Sequence, residues 1–414
     1  MFFKNFLFRV IIVNMKSITK KNTIILSTFF SILILISFVI ITLINIKLTC
    51  VGFYQVSSEN QRAIVSFLQK NLAQDNGKPV KFGIITYNEK EDFFTQYEQN
   101  PCDLLFTKDG EVSRTFAKSQ KLKFNPTLIE TMPSTMKKTS KNIYYPIIFD
   151  HFEVLSKTKI PNTLDSFVEH AKSLIVNNQK SVFFAGNEDE TLLQLITALT
   201  EAKYGYEGLN SVIKVLKQNC DFACLLDARV AENATFRDVL QELINWKKSG
   251  ILYDENYNMK ESDLLAMIEY GLPEIVFLPL STHRKIPSRS LETYTSTVFP
   301  ATNVFSKRCL VAPAVVGIPI TERKFFSSKT ATNILQSILE SENMSQLALS
   351  SKLIPASLSA RTADIQASDA RLWIASASLT TNHIATESFL SVSKTYFLAE
   401  SIRTYLKTNG IVIE

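Results

Sequence analysis

The sequence predicts an α/β fold that follows an N-terminal membrane-targeting segment. Two observations carry this prediction. Residues 22–46 are uncharged and mostly apolar, and at about 1.5 Å of helical rise per residue such a run can cross the roughly 30 Å apolar core of a bilayer. Behind it, apolar runs of strand length alternate with amphipathic runs of helical spacing, which is typical of sheets covered by helices.

The charges around the apolar run predict its orientation. The charged residues before it are all basic, namely Lys4, Arg9, Lys16, Lys20 and Lys21. The positive-inside rule therefore keeps the N-terminus cytoplasmic. Residues 1–49 are predicted to be a basic stub with an anchor or signal segment, and the remainder to lie on the periplasmic or extracellular side of the cell membrane. A second basic region opens at Met15, so translation begins at either Met1 or Met15.

Two fates of the anchor stay open. Leu48, Thr49 and Cys50 resemble the end of a bacterial lipoprotein signal, in which the cysteine is lipidated after cleavage. The apolar run is, however, longer than the usual signal-peptide core of about 7 to 15 residues, which favours a retained helix. Either fate leaves the protein on the outer face of a membrane.

The charge balance gives no support for nucleic-acid binding. The chain has 45 basic and 39 acidic residues, but residues 1–47 hold six of the basic ones and none of the acidic ones. The exported part is therefore neutral, without the basic excess of a nucleic-acid binder. The five cysteines are too few for a disulfide framework. Cys220 and Cys224 either form a bridge or remain buried thiols, and the second alternative is favoured.

The first third of the exported part predicts strands and helices in strict alternation. The strands are 51–56 (VGFYQV), 80–87 (VKFGIITY) and 102–107 (CDLLFT), and the helices are 58–74 and 89–99. In the first helix Ile64, Phe67, Leu68 and Leu72 fall on one face. A β-α-β-α-β order predicts a parallel sheet with helices on its faces.

The alternation continues with longer helices. Extended runs are predicted at 145–155, 181–186, 274–280 and 309–320, and helices at 164–175, 188–204, 235–249, 260–270, 327–340 and 343–350. Pro161 precedes the first of these helices, and Gly250 and Gly271 follow two others, as start and stop residues do. From about 364 to 406 we expect almost all residues to be helical.

No motif of an enzyme or a metal site is present in the sequence. GxGxxG, GxxxxGK[ST], HExxH and GxSxG are all missing, and the four histidines are scattered singly. The acidic run Glu188, Asp189 and Glu190 stands at a predicted helix start, where the macrodipole already favours carboxylates. The sequence therefore predicts no catalysis, no cofactor and no metal.

The order of blocks resembles a known family. YPIIFD at 145–150, followed by KIPNTLDSF at 159–167, resembles a crossover strand and a Pro-Thr-Trp-x-x-Phe helix start, with Leu164 in place of Trp. The blocks 236–252 with 266–279, and 310–320 (LVAPAVVGIPI) with 331–339, resemble later family blocks. From 51 to about 406 the chain resembles the extracellular solute-binding proteins of ABC importers, in the sugar-type group (family 1) that includes the maltose-binding proteins.

The resemblance implies a two-lobed, type II-like periplasmic-binding-protein fold that encloses a small solute when the lobes close about a hinge. Lobe one would hold 51–148 and about 284–314, and lobe two 149–283 and about 315–414. The hinge would lie near 149–152 and 315–318. The implied partners are a small solute and an ABC permease, and we expect a monomer.

The aromatic residues expected of sugar-binding members are missing from their usual sequence positions. Maltose-type proteins carry tryptophans where this chain reads Ser281, Thr282, His283 and Arg284, and adjacent aromatics where it reads Phe389, Leu390 and Ser391. Trp246 stands beside an apolar helix stripe, which indicates packing. Stacking platforms are therefore expected to be missing, which disfavours maltodextrin-like ligands and allows another small solute or none.

The candidate ligand contacts are loop ends that the resemblance places at the lobe interface. They are Tyr54, Ser57, Phe149, Asp150, Asn187, Glu188, Thr282, His283 and Arg284. The first functional hypothesis is a membrane-tethered solute-binding component of an ABC importer. The alternative is a binding-protein fold reused as a sensor or surface interaction protein, which the missing aromatics would suit.

Overall fold

The computed structural model describes residues 47–72, 74–75, 78–119, 145–175, 180–302, 309–320 and 328–411. Contacts divide the chain into two units: residues 49–72 and 82–414 form the main body, and residues 1–48 and 73–81 the second unit. In the second unit, strand β2 (Gln74–Asp75) pairs antiparallel with the first residues of β3 (Lys78–Thr86). The predicted membrane segment, 22–46, lies outside the described residues.

Six strands of the main body form a large mixed sheet in the order β14-β5-β13-β4-β1-β3. The strands besides β3 are β1 (Lys47–Tyr54), β4 (Leu104–Lys108), β5 (Tyr145–Phe149), β13 (Ala314–Pro319) and β14 (Ile354–Pro355). Its helices are α1 (Ser58–Asn71), α2 (Phe93–Gln99), α3 (Glu111–Ser119), α11 (Ser328–Ile338), α12 (Ser341–Ser351) and α13 (Ile365–Ser376). These elements share one apolar core and form the large-sheet lobe.

A second sheet of four strands has the order β11-β6-β10-β7. Its strands are β6 (Phe152–Ser156), β7 (Val182–Phe183), β10 (Ile275–Pro279) and β11 (Thr295–Thr297). The helices around it are α4 (Leu164–Ser173), α5 (Asp189–Lys217), α6 (Phe222–Leu226), α7 (Phe236–Lys248), α8 (Glu261–Glu269), α10 (Ser288–Leu291), α14 (Ile384–Glu387) and α15 (Val392–Lys407). With the short pairs β8 (Arg229–Ala231)/β9 (Ala234–Thr235) and β12 (Cys309–Val311)/β15 (Leu379–Thr381), they form the small-sheet lobe.

Strand periodicity explains why the small sheet is covered on both faces. Val154 and Phe277 point into the main core of the lobe, while Leu155 and Val276 belong to a second apolar cluster. Successive side chains of a strand point to opposite faces. A strand that is apolar at every position is therefore buried on both sides, as β10 is.

The predicted β-α-β-α-β order is confirmed, but the sheet is not purely parallel. β1 pairs parallel with β4, whereas β13 runs antiparallel to both β4 and β5. The reason is that β13 enters the sheet from the other lobe, which reverses its direction relative to strands joined by helical crossovers.

Over the residues that the structure describes, the chain passes between the lobes three times. The predicted extended run 145–155 is two strands, since β5 belongs to the large sheet and β6 to the small one. The second passage lies between β12 and β13, and the third between α13 and β15. The Asp150 N–H donates to the carbonyl of Pro313 at 2.7 Å, which ties the first two passages together.

The lobe membership of the returning segments differs from the predicted division. Residues 295–297 pair with β6 in the small sheet, although 284–314 was assigned to lobe one. Conversely, β13, α11, α12 and β14 belong to the large-sheet lobe, although 315–414 was assigned to lobe two. Apolar periodicity predicts that a segment is buried but not against which sheet, which explains the exchange.

Two further predictions are refined or corrected. The run 364–406 is mostly helical, as predicted, but it is divided into α13, α14 and α15, and the strand β15 between the first two pairs with β12. Cys220 and Cys224 form a disulfide with their Cα atoms 5.8 Å apart, so the favoured buried thiols are wrong. Both residues lie at the surface end of α6, where the predicted burial is missing.

A short helix, α9 (Leu280–His283), follows β10 at the junction of the lobes. Its Leu280 packs into the core of the large-sheet lobe, and the Leu280 N–H donates to the carbonyl of His151 at 2.8 Å. The small sheet is thus fastened to the first passage by backbone as well as by side chains.

Candidate ligand-binding cleft

A cleft lies between the two lobes, at the carboxyl ends of the parallel strands β1 and β4. This is where open α/β sheets bind ligands. Its outer cleft has a volume of about 890 Å³ and is lined from both lobes by Tyr54, Gln55, Glu89, Lys90, Thr107, Lys108, Asp109, Gly110, Glu111, Val112, Glu188, Asp189, Glu190, His383, Thr386, Leu390, Val392, Ser393, Thr395, Tyr396 and Phe397. Small-molecule sites have volumes of about 300–1,000 Å³. The outer cleft is therefore large enough for a small oligosaccharide.

An inner chamber of about 270 Å³ adjoins it near the first two passages of the chain. Its lining residues are Gln55, Val56, Ser57, Asn60, Glu89, Lys108, Ile148, Asp150, Glu190, Gln194, Pro279, Ser281, Pro313, Val315 and Leu353. Gln55, Glu89, Lys108 and Glu190 line both spaces. The two spaces are therefore parts of one cleft.

An ion pair between the lobes separates the two parts. Lys108 at the end of β4 donates to the Glu190 carboxylate in the first turn of α5, with Nζ and Oε2 2.7 Å apart. His383 Nε2 lies 3.5 Å from the same oxygen. Burial opposes the charge on Glu190, but Lys108 and His383 lower its pKa well below the ordinary value. Glu190 is therefore ionised at neutral pH and holds the lobes together.

Two buried polar atoms face this cleft without a hydrogen-bond partner in the described part of the chain. They are Oγ1 of Thr107, in the outer cleft, and Oε1 of Gln194, in the inner chamber. Both side chains are about 1% exposed. A buried polar atom left unpaired costs about 1–3 kcal/mol, so native proteins rarely keep one without a use. A polar ligand would satisfy both atoms.

Aromatic rings line the outer cleft from both lobes. Tyr54 stands on the large-sheet lobe, and Tyr396 and Phe397 on α15, where they are 53% and 66% exposed. The expectation of missing stacking platforms is therefore wrong: adjacent aromatics are present, seven residues beyond Phe389. The Phe389 ring is instead covered by the Arg114 guanidinium, 4.4 Å from its centroid.

The two tryptophans lie outside the cleft lining. Trp246 is 1% exposed and its ring centroid lies 5.7 Å from that of Phe167, which confirms the predicted packing role. Trp373 packs against the core of the large-sheet lobe.

Asp150 braces the floor of the inner chamber. Its Oδ1 accepts the Ser281 N–H at 3.0 Å and the His151 N–H at 2.9 Å, and its Oδ2 accepts the Ser281 hydroxyl at 2.6 Å. Burial raises the pKa of Asp150 to about 6, although these three hydrogen bonds oppose the shift. Asp150 thus joins the first interlobe passage to the start of α9.

Four of the predicted ligand contacts line the cleft. Tyr54 and Glu188 face the outer cleft, and Ser57 and Asp150 face the inner chamber. Tyr54 is the last residue of β1 and Ser57 lies three residues beyond it, where it caps α1 by accepting the Asn60 N–H. Strand ends and helix starts thus placed these residues correctly at the edge of the sheet, while their contact with a ligand stays a prediction.

Three predicted contacts lie elsewhere. Phe149 is buried in the core of the large-sheet lobe and lines a separate cavity of about 170 Å³. Asn187 accepts the Arg403 guanidinium with its carbonyl oxygen at 3.2 Å. Arg284 pairs with Asp364 of α13 at 2.7 Å. None of the three is among the lining residues of the outer cleft or inner chamber.

Thr282 and His283 are also absent from that lining, because their side chains turn into the small-sheet lobe. The Thr282 hydroxyl donates to Glu261 at 2.5 Å, and His283 Nδ1 lies 2.5 Å from Oε1 of the fully buried Glu153. These contacts fasten α9 to the lobe, so both residues have structural partners.

Sequence reasoning missed the most consequential cleft residues. Lys108 is the last residue of β4, as Tyr54 is of β1, so the signal of a strand end was present in the sequence. Glu190 was explained by the helix macrodipole alone, and Tyr396 and Phe397 lay in a stretch predicted to be almost all helix. Their shared position becomes visible only when both lobes are assembled.

Cys50 lies within β1, where its N–H donates to the Asp103 carboxylate at 2.7 Å. Its lipidation stays a prediction. Among the helices of the described ranges, none combines the length and apolarity needed to cross a bilayer. Over the same ranges, we find no group of three or more His, Cys, Asp and Glu side chains placed to hold a metal ion.

No protein-family model matches the sequence, and no curated protein matches it significantly. Solved structures do. The bacterial solute receptor AcbH, with its exclusive preference for β-D-galactopyranose, aligns with a TM-score of 0.70 at 15% identity over 88% of this chain and 93% of that one. A chitin oligosaccharide-binding protein aligns with a TM-score of 0.65 at 14% identity over 88% and 95%.

The raffinose-binding protein RafE from Streptococcus pneumoniae, in its apo form, aligns with a TM-score of 0.60 at 11% identity over 88% of this chain and 98% of that one. Structural neighbours of this kind are binding receptors and not enzymes. At these identities the likeness concerns the fold. The predicted resemblance is confirmed at that level: the chain has the two-lobed fold of the sugar-type solute-binding proteins of ABC importers.

Proposed function

We propose that this chain is a membrane-tethered, extracytoplasmic solute-binding protein that delivers a small carbohydrate to an ABC permease. One observation carries the proposal: a cleft between two α/β lobes combines exposed aromatic rings, carboxylates and buried polar atoms that lack partners. Aromatic faces match the C–H faces of a sugar ring, and the polar atoms match its hydroxyls. The fold shared with sugar receptors supports the same reading.

Hinge closure is the proposed mode of delivery. Three chain passages join the lobes, and the Lys108–Glu190 pair spans the cleft at 2.7 Å. A ligand that contacts both walls favours the closed state by its differential affinity, which a permease can then recognise. Asp150 and Pro313 lie where two passages meet, so the lobes would rotate about that point.

A panel of sugars tests the proposal directly. We expect galactose, raffinose, chitotriose or maltotriose to raise the melting temperature of the full-length protein in detergent. A ligand at a hundredfold excess over its Kd stabilises the native state by about 2.7 kcal/mol. If sugars, oligopeptides and amino acids all leave the melting temperature of the folded protein unchanged, the transport proposal is wrong.

Replacing Phe397 with alanine should weaken the binding of the sugar found in that panel by about fivefold. The exposed ring would lose its stacking on the sugar, which is worth about 1 kcal/mol, while the fold loses little. Tyr270→Ala is the matched control, since Tyr270 is 81% exposed and does not line the cleft. Titration calorimetry compares the two; equal affinities for both variants would remove Phe397 from the site.

The tether is supported by the sequence of residues 1–50. The apolar run and its basic flank favour an anchor, and a periplasmic or extracellular location follows from their orientation. Mass spectrometry of the mature N-terminus distinguishes a lipidated Cys50 from a retained helix. A mature protein that starts beyond Cys50 and carries no lipid would contradict the tether.

The alternative function, a sensor or surface interaction protein, rested on the absence of cleft aromatics. Tyr396 and Phe397 line the outer cleft, and their ring centroids are 5.8 Å apart. Missing cleft aromatics therefore no longer favour the sensor or surface-interaction function.

A further inference from the structure

The outer cleft carries more negative than positive charge. Among its described lining residues are six acidic residues and two lysines. Three of the acids are neutralised by neighbours: Asp109 by Arg114 at 3.0 Å, Asp189 by Arg403 at 2.5 Å and Glu190 by Lys108 at 2.7 Å. The remaining acids therefore decide which charge the cleft attracts.

Those acids are Glu89, Glu111 and Glu188. Within the described residues, none of the three forms an ion pair, and only Lys90 among the lining cations is left to balance them. Glu188 accepts a backbone N–H from Glu261 at 3.2 Å. Glu89 and Glu111 are exposed to the cleft on the large-sheet lobe, so an uncompensated negative charge stands on that wall.

Tyr54 lies at the centre of this negative wall. Burial raises the pKa of its phenol, and the carboxylates of Glu89, Glu111 and Asp92 raise it further. Burial and then Asp92 likewise raise the pKa of Glu111, against an opposing effect of Lys394. Burial is the main cause of both raised pKa values and would disfavour a cation as well, but the contribution from the neighbouring carboxylates shows that the potential at this wall is negative.

A separate observation marks the same wall as a ligand site. Thr107 stands opposite Tyr54 in the pairing of β1 with β4. Its hydroxyl is buried against the outer cleft and has no partner in the described part of the chain. A sugar hydroxyl placed against Thr107 would bring the neighbouring ring positions close to Tyr54.

We infer that the outer cleft takes an amino sugar, whose ammonium group lies between Glu89 and Glu111. The inference rests on the proposed function and narrows its substrate class from carbohydrates to cationic carbohydrates. Carboxylates attract an ammonium group, and the attraction grows when water is excluded. Thr107 and the rings of Tyr396 and Phe397 then serve the uncharged part of the sugar.

Matched pairs of sugars test the inference on the full-length protein in detergent. The pairs are glucose with glucosamine, galactose with galactosamine, and chitotriose with the fully deacetylated glucosamine trimer. Titration calorimetry should give at least tenfold tighter binding for the amine in one pair or more. The preference should shrink as salt rises, because the attraction is electrostatic.

Glu111→Gln removes one charge of the wall and keeps its shape. We expect it to weaken binding of the amine about tenfold and to weaken binding of the neutral partner sugar by clearly less, because only the amine carries the charge that Glu111 attracts. Glu232→Gln is the control, because Glu232 is exposed and does not line the cleft. Thermal melting confirms that both variants fold.

Two outcomes would overturn the inference, and they separate it from the proposed function. Neutral sugars that bind as well as their amines, or an amine preference that survives Glu111→Gln, would refute the ammonium site and leave carbohydrate binding intact. Failure of every sugar in all three pairs would count against both.

Discussion

Replacing Arg403 with methionine is expected to lower the free energy of unfolding by about 3–5 kcal/mol. Arg403 is 3% exposed on α15 and holds the turn between β7 and α5. Its Nε donates to the Gly186 carbonyl at 3.0 Å, and its Nη2 to the Asn187 carbonyl and the Asp189 carboxylate at 3.2 and 2.5 Å. Methionine would leave the Gly186 and Asn187 carbonyls without their donor and the partly exposed Asp189 without its counter-charge, and the loss of several hydrogen bonds from one buried guanidinium is strongly destabilising.

Urea denaturation of the full-length protein measures the loss. Arg62→Met is the matched control, since the Arg62 side chain is 78% exposed and lies 3.9 Å from Glu59, so its change should stay within about 0.5 kcal/mol. Arg403→Lys should fall between the two, because lysine keeps the charge but not the guanidinium fork. A loss below about 1 kcal/mol for Arg403→Met would show that the turn is held by its other contacts.

The same turn carries Glu188 and Glu190 into the cleft. Arg403 therefore positions cleft residues without lining the cleft itself. Through its contact with Asp189, which lies 214 positions earlier in the chain, Arg403 of α15 supports the segment that carries these cleft residues.

Replacing Asp150 with asparagine is expected to remove a pH dependence of stability between about pH 4 and 6. Burial raises the pKa of Asp150 to about 6 in the folded protein, whereas an unfolded aspartate titrates near 3.9. In this window the folded state keeps a proton that the unfolded state has lost. The contribution of Asp150 is thus most favourable at low pH and falls by about 3 kcal/mol as the pH rises to 6.

Asparagine can keep all three hydrogen bonds of Asp150. Its Oδ1 can accept the N–H groups of Ser281 and His151, and its Nδ2 can donate to the Ser281 hydroxyl. We therefore expect the variant and the wild type to be about equally stable at pH 4, and the variant to be more stable at pH 7. Asp369→Asn, an exposed change on α13, is the control.

Denaturation curves at pH 4, 5, 6 and 7 give this difference directly, since other titrating groups contribute equally to both proteins. A constant difference between variant and wild type across that range would mean that Asp150 is ionised throughout. A variant less stable at pH 7 would mean that the charge itself braces the hinge.

Local patterns predicted most of the elements and part of the site. Strand ends placed Tyr54 and Ser57 at the edge of the sheet, and the apolar run 145–155 placed Asp150 at a crossing of the lobes. The helix predicted at 188–204 ends where Gly205 takes a positive φ of 70°, and a second helical stretch then runs on to Lys217. Such predictions succeed because they depend on neighbours within one or two turns of chain.

Family position proved a weaker guide to the aromatics. It pointed to Phe389, which packs beneath Arg114, and missed Tyr396 and Phe397. Apolar periodicity indicates only that α15 is amphipathic. It does not distinguish an exposed aromatic side chain that faces bulk water from one that faces a cleft.

The sequence by itself determined the alternation of strands and helices, the resemblance to solute-binding proteins and the expected export, because each depends on local composition and spacing. Only the tertiary structure decided which sheet each returning segment joins and which side chains meet in the cleft. Lys108 and Glu190 are 82 residues apart in sequence. Thr107 Oγ1 and Gln194 Oε1, which lack a hydrogen-bond partner among the described residues, come from different segments of the chain and face the same cleft. Contacts across such separations are set by packing of the two lobes, about which local periodicity carries no information.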